Sequence, residues 1–244
     1  TTSTSESIGS AGGNGGDEHE VNPFVLHAFL SALEASGSAS PRRGWGPRHL
    51  CVRDASGRLI GACPLYIKSH SAGEYVFDQS WAQTCNMLGR EYYPKLQACV
   101  PFTPCTGPRL MVAGDLAPAQ RRRVLLAMGR GLIKVAESSK LSSVHVTFNT
   151  AEEWAALCEL GFLQRTGIQF HWDNAGYGNF DAFLATLKQS KRKSIRQERK
   201  SLTNAGLTIR RLVGSDITPA HWDAFYAFYN DTVDRMGGSA YLTR

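Results

Sequence analysis

Between Pro64 and Leu110 the chain gathers ionisable and aromatic side chains more densely than a connecting loop requires. Pro64–Trp81 reads PLYIKSHSAGEYVFDQSW, Tyr92–Leu96 reads YYPKL, and Val100–Leu110 reads VPFTPCTGPRL. These runs supply Lys68, His70, Glu74, Tyr75, Asp78, Trp81, Tyr92, Tyr93, Lys95 and Arg109. A connecting loop needs turn residues and solubility. Rigid aromatics beside groups that carry charge or move protons are the material of a binding pocket. The alternative is an ordered surface loop whose polar groups bond one another. A second concentration lies at Lys188–Lys200, KQSKRKSIRQERK, with seven Lys/Arg and one Glu. The rest of the chain holds 20 of the 27 basic and 20 of the 21 acidic residues, so the formal charge of +6 sits in this segment.

The chain that must position these groups has 244 residues, 42% hydrophobic and 10% aromatic. That suffices for one large domain or two small ones with a real core. No apolar run is long enough to span a bilayer. Cys51, Cys63, Cys85, Cys99, Cys105 and Cys158 form no CxxC pair and no zinc spacing. Four of them sit in strand-like apolar contexts that suit free thiols, which implies a reducing compartment, cytoplasm or plastid stroma. The His and carboxylate residues show no HExxH or comparable spacing, so no metal site is expected. The chain opens on Thr rather than Met, so no targeting segment is readable. The sequon Asn230-Asp231-Thr232 lies in a helical pattern and is discounted as a glycan site.

Residues Thr1–Glu20 are Ser/Gly/Thr-rich and read as a disordered tail. Asn22-Pro23 starts a helix reaching Ser36. His49–Val52 and Arg58–Ile67 read as a hairpin around Asp54-Ala55-Ser56-Gly57. A short helix follows at Asp78–Leu88 and a strand at Lys95–Phe102. Apolar spacing at Val124, Leu125, Met128, Leu132 and Val135 marks a helix over Pro118–Ser139. Ser142–Phe148 alternates as a strand, Glu152–Leu160 is helical and ends at Gly161, and Phe162–Trp172 reads as a strand. A mixed sheet with crossover helices tends to bind ligands at the carboxyl ends of its strands, beside a helix N-terminus. That directs attention to Thr106, Gly107, Pro108 and Arg109, just before the Pro118 helix.

The turn-rich Asp173–Gly178 is the expected domain boundary. A helix over Asn179–Ala205, a strand at Leu207–Val213 and a helix over Thr218–Met236 follow, the last with Trp222, Phe225, Tyr226, Tyr229, Val233 and Met236 on one face. One strand and two amphipathic helices cannot bury their own faces. They dock on the first domain or open a second, truncated one.

The blocks NPFVLHAFLSALEASGS, PLYIKSHSAGEYVFD, YYPKLQACVPFTPCTGPRL, SSVHVTF, GFLQRTGIQFHW, FDAFLATLKQSKRKSIRQERK and HWDAFYAFYNDTVDRMGGSAYLTR resemble the predicted N-acyltransferases, the Fem-like peptidoglycan biosynthesis/recognition proteins. The resemblance covers nearly all of Val21–Arg244. It implies an α/β (mixed α+β) fold with a GNAT-like mixed sheet flanked by helices at 21–172, a linker at 173–178, and the opening of a second GNAT-like domain at 179–244. It also implies transfer of an acyl or aminoacyl group to a small-molecule or peptide amine, with a coenzyme A thioester or aminoacyl-tRNA as donor. The chain departs from the GNAT pattern. The nearest match to Arg/Gln-x-x-Gly-x-Gly/Ala is Leu126–Gly131, which lies mid-helix, so Gly129 and Gly131 read as packing positions. Arg235–Gly238 reads RMGG where the family leads one to expect RKWG.

Transfer to an amine needs a neutral amine, a route for its proton and donors for the developing oxyanion. The candidates for proton transfer are His70 and Glu74, then His171; His145 fits a sheet-face histidine better. Lys68, Tyr75, Asp78, Tyr92, Tyr93, Lys95, Thr106, Arg109, Gln169 and Trp172 are the candidate substrate contacts. Lys191, Arg192, Lys193, Arg196, Arg199 and Lys200 are candidates for a phosphate-bearing ligand or RNA; a solvated helix face or a contact with anionic lipid are the alternatives. A binding module without catalysis is the rival reading of the whole chain, favoured by the missing coenzyme A loop.

Overall fold

The computed structural model describes residues 22–244, and the tail expected at Thr1–Glu20 lies outside them. Asn22 caps a single 3-10 turn at Pro23–Val25, its Oδ1 accepting from the Phe24 N–H. Then follow α1 (His27–Ala35), β1 (Trp45–Pro47), β2 (Leu50–Arg53), β3 (Leu59–Cys63), β4 (Leu65–Lys68), α2 (Gln79–Met87), β5 (Lys95–Ala98), β6 (Met111–Val112), α3 (Pro118–Ser138), β7 (Val144–Val146) and α4 (Ala151–Glu159). The last elements are α5 (Phe180–Thr186), α6 (Gln189–Asn204) and α7 (Pro219–Arg235). The fold is mixed α+β.

Pro64 divides the strand expected at Arg58–Ile67. A proline has no N–H for a ladder and fixes φ, so continuous pairing stops there. The residues before it, β3, pair antiparallel with β2 and β6 in a three-stranded sheet. The residues after it, β4, join a four-stranded sheet of order β1-β4-β5-β7. There β1, β4 and β5 are antiparallel neighbours, and β5 pairs parallel with β7. A parallel neighbour requires a crossover, and the segment between β5 and β7 contains α3. The short strand β1 lies between the helix expected to reach Ser36 and the hairpin expected from His49, and was not among the expected strands.

Strand alternation separates two kinds of face. Leu65, Leu96 and Ala98 belong to the main core, with Val124, Leu125, Met128, Leu132 and Ala136 of α3 and Ala156 and Leu157 of α4. The stripe on α3 expected from the 3.6-residue period is therefore the stripe that packs. Gly129 sits where an added Cβ would run into Leu160 and Leu157, and Gly131 where it would crowd Leu50. The alternate positions of β4, Tyr66 and Lys68, point the other way. Tyr66 joins Leu33, Ala39, Trp45 and Cys99 in a second, smaller cluster.

The chain falls into two compact units. One runs to Phe162 and includes Tyr241–Thr243; the other is Leu163–Ala240 with Arg244. In the first, Thr243 bonds to Ser38 and Ser36, and Tyr241 stacks on Phe102. In the second, the strands expected at Phe162–Trp172 and Leu207–Val213 are absent, and both stretches are irregular and mostly exposed. An alternating segment becomes a strand only when another strand takes up its N–H and C=O groups. No strand lies in this unit among the described residues. The helix expected over Asn179–Ala205 is interrupted, because Leu187 and Lys188 are extended between α5 and α6.

Leu132 is fully buried where α3 meets the main core. Leu132→Ala should lower unfolding free energy by about 3 kcal/mol in a denaturant titration.

Candidate functional site

Register brings the candidate charges together. Lys68 of β4 stands opposite Lys95 of β5 and, on its other side, opposite Trp45 of β1. Two residue pairs along, on the same face, Tyr66 stands opposite Gln97, and Gln97 stands opposite His145. Two lysines opposite each other repel, and both are sealed from solvent. The loop after β4 supplies the compensation. Lys95 Nζ donates to Glu74 Oε2 at 2.6 Å, to Asp78 Oδ2 at 2.7 Å and to Ser71 Oγ at 3.1 Å. Lys68 Nζ lies 3.8 Å from Glu74 Oε1, donates to the Ala72 carbonyl at 3.2 Å, and sits 3.3 Å from the centre of the Trp45 ring. Tyr92 Oη donates to Asp78 Oδ2 at 2.7 Å. The Ser71 and Tyr93 hydroxyls are 2.6 Å apart, and Tyr93 is only half-buried.

Desolvation governs how these groups titrate. Burial pushes Lys68 down to about 7, although Glu74 acts to hold its proton. Burial also raises the Glu74 carboxyl above its usual range, against the attraction of Lys95. For Asp78 burial is outweighed by hydrogen bonds from Lys95, Ser71 and Tyr92, which hold it at about 2. Burial and the Asp78 carboxylate both raise Tyr92. Three acceptor atoms here, Glu74 Oε1, Asp78 Oδ1 and Gln97 Oε1, are buried with no hydrogen-bond donor.

His70 is held beside this cluster by the backbone. Its Nδ1 accepts from the Ala72 N–H at 3.1 Å, and its Nε2 lies 3.0 Å from the Arg43 carbonyl. The first contact leaves the proton on Nε2, where it serves the second. Burial and nearby Lys68 lower its pKa. Tyr75 lies on the same loop, exposed, with φ of 59°. His145 is half-buried and pairs through Nε2 with Ser143 Oγ at 2.8 Å.

Arg109 is fully buried, and its guanidinium donates to the carbonyls of Thr147, Gly107 and Cys105. Backbone oxygens thus occupy the donors that an anionic ligand would need. Beside it, buried Glu153 accepts from the N–H groups of Arg109 and Leu110 on Oε1 and of Thr150 on Oε2. Glu153 was not among the expected residues. Its signal was present in Thr150-x-x-Glu153, a capping box opening α4. Trp45 was also missed, because β1 was not recognised as a strand. Thr106 is exposed and offers its carbonyl to Asn22.

Gln169, His171 and Trp172 belong to the second unit, on an exposed irregular stretch. Gln169 Oε1 lies 3.2 Å from His171 Nε2, and Trp172 meets Tyr177 and Phe183. The six basic residues from Lys191 to Lys200 all lie on α6, none of them buried.

No group of three or more His, Cys, Asp or Glu among the described residues is arranged to hold a metal ion. No helix among them is long and apolar enough to cross a membrane. All six cysteines are free.

A family model described as FemAB-like, peptidoglycan biosynthesis/recognition, matches residues 11–244. The chain belongs to this family. No curated protein and no solved structure matches it.

The depressed Lys68 gives a pH signature. In the unfolded chain a lysine keeps its proton to about 10.5; folded Lys68 releases it near 7. Between those values the unfolded chain binds more protons, so the Lys68 contribution to stability rises with pH. Subtracting the stability curve of Lys68→Met from that of the parent over pH 7–9 should leave a positive slope of up to about 1.4 kcal/mol per pH unit. A flat difference would show that the buried amine titrates normally.

Proposed function

We propose that this protein is a transferase that moves an acyl or aminoacyl group onto the amine of a small molecule or peptide. The supporting observation is membership of the FemAB-like, peptidoglycan biosynthesis/recognition family across residues 11–244. In this reading the first unit is a GNAT-like domain, and the donor is a coenzyme A thioester or an aminoacyl-tRNA. The amine proton passes to the half-buried Tyr93 oxygen as the Tyr93 proton moves to Ser71 and the Ser71 proton to the Asp78 carboxylate, while Lys95 stays protonated between Glu74 and Asp78. Such a line suits general-base assistance, because the carboxylates stabilise positive charge arriving from outside.

A second reading, a recognition module without turnover, is favoured by one observation. The side chains of Lys68, Lys95, Glu74 and Asp78 are 0–1% exposed and paired among themselves. In that case they brace a binding surface instead of meeting a substrate.

The two readings separate in one assay. The full-length protein is incubated with labelled acetyl-coenzyme A, or with charged tRNA, and a panel of amines that includes a peptidoglycan stem peptide. Label is then followed into the acceptor by mass spectrometry. Transfer from either donor supports the transferase; stem-peptide binding with no transfer from either donor establishes the module. Given transfer, Tyr93→Phe should lower turnover by about 100-fold with an unchanged circular dichroism spectrum. An unchanged rate would place the proton route elsewhere.

A further inference from the structure

The loop that brings Glu74 and Asp78 onto the buried lysines also carries side chains that face outward. Tyr75 is 40% exposed, Phe77 72%, Trp81 58%, Met87 87% and Leu88 70%. Tyr75 and Phe77 have φ of 59° and 52°, a region that bulky side chains rarely enter. Glu74 and Asp78 on either side are buried and ion-paired, so the backbone between them is fixed with both rings in solvent. α2 continues this surface. None of its nine residues is buried, and Asp78, its N-cap, makes no side-chain cap bond because the carboxylate serves Lys95 and Tyr92. A helix this short is marginal in water unless one of its faces is covered. At about 100° per residue, Ser80, Trp81, Thr84 and Met87 of α2 and Leu88, its C-cap, fall within about 120° of arc. All five are exposed, whereas Ala82 and Cys85, off that arc, are half-buried. The Thr84 hydroxyl is turned back onto the Ser80 carbonyl at 3.0 Å. From Gln79 to Gly89 the chain has no charged residue.

We propose that this face of α2, with the Tyr75–Phe77 turn before it, is a twofold interface between two copies of this chain. The area is of the right size. The three rings alone expose on the order of 350 Å², close to half of the ~800 Å² that each partner buries in a standard interface. The composition also fits: aromatic residues and methionine are enriched, and charges depleted, where interfaces are most deeply buried. Charge then selects the occupant. A charged patch that meets its own image brings like charges together near the twofold axis, and this face has none to bring. A different protein would be selected by complementary charge, which the stretch from Gln79 to Gly89 does not offer. A helix that lies in a lipid surface carries Lys or Arg on its polar side, and α2 has neither. Thr84, near the middle of the exposed arc, is placed close to the axis, with Trp81 and Leu88 packing beside it against the second copy.

The test uses the full chain and needs neither donor nor acceptor, so its outcome is independent of the transferase reading. Sedimentation equilibrium is recorded over roughly 0.5 to 50 μM protein, the range in which an interface of this size associates or is tighter. The weight-average mass should rise to that of two chains. Trp81→Glu should weaken the dimer at least about 30-fold, as the loss of a central aromatic does, with an unchanged circular dichroism spectrum. Thr84→Glu and Thr84→Lys should each give monomers, because each sets a charge against its own copy. An equimolar mixture of these two variants should restore the dimer, which only a face that meets itself can do. A monomer throughout the range, a dimer that persists in Trp81→Glu, no recovery in the mixture, or a monomer that sediments with phosphatidylglycerol vesicles would each overturn the proposal.

Discussion

Two buried lysines on adjacent strands, Lys68 and Lys95, set the terms for the first unit. Their register makes them neighbours, and a pair of sealed ammonium groups is prohibitive unless anions are delivered to it. Glu74 and Asp78 deliver them from the loop that follows β4, so the loop is drawn down over the sheet instead of leaving it. The rest of the loop's geometry follows from that capture. Lys68 is closed in by the Trp45 ring, Ser71 bridges Lys95 to Tyr93, and His70 staples the first turn to the Arg43 carbonyl. Removing one carboxylate would leave an uncompensated buried charge, the costly half of such an arrangement.

The hydrocarbon core works from the opposite face of the same sheet. α3 covers Leu65, Leu96 and Ala98 and also reaches β3 of the second sheet, where Gly61 leaves room for Val124 and Met128. Pro64 lets one stretch of chain serve both sheets. The long helix is therefore the common floor, and the ionic cluster closes one sheet from above. Arg109 and Glu153 play the same role on a smaller scale, since each uses its charge to gather loop backbone groups. A guanidinium and a carboxylate spent this way fix the connections around β7 and α4.

Much of this was legible along the chain. The periods of α3 and α7 and the short helix after Asp78 appear within a residue or two of their expected limits, whereas Asn22-Pro23 opens only a 3-10 turn and α1 begins at His27, after the extended Leu26. The polar residues that come together between Lys68 and Lys95 were singled out as a group. The two uses open to them, a pocket or mutual bonding, differ only in whether solvent reaches them, and composition is silent on that. The rule that Lys68 shares a face with Tyr66 was available from alternation, but its consequence required knowing that β5 lies alongside.

Local chemistry, then, determined which segments are helical, where proline ends a strand, which end of α4 is capped and which helix carries the net charge. These depend on neighbours within a few residues. Tertiary structure decided which lysine meets which carboxylate, that the meeting is buried, that Arg109 serves backbone carbonyls, and that the alternating stretches at Phe162–Trp172 and Leu207–Val213 remain irregular. Ladders, burial and ion pairing are properties of two segments at once, and a segment read alone does not contain its partner.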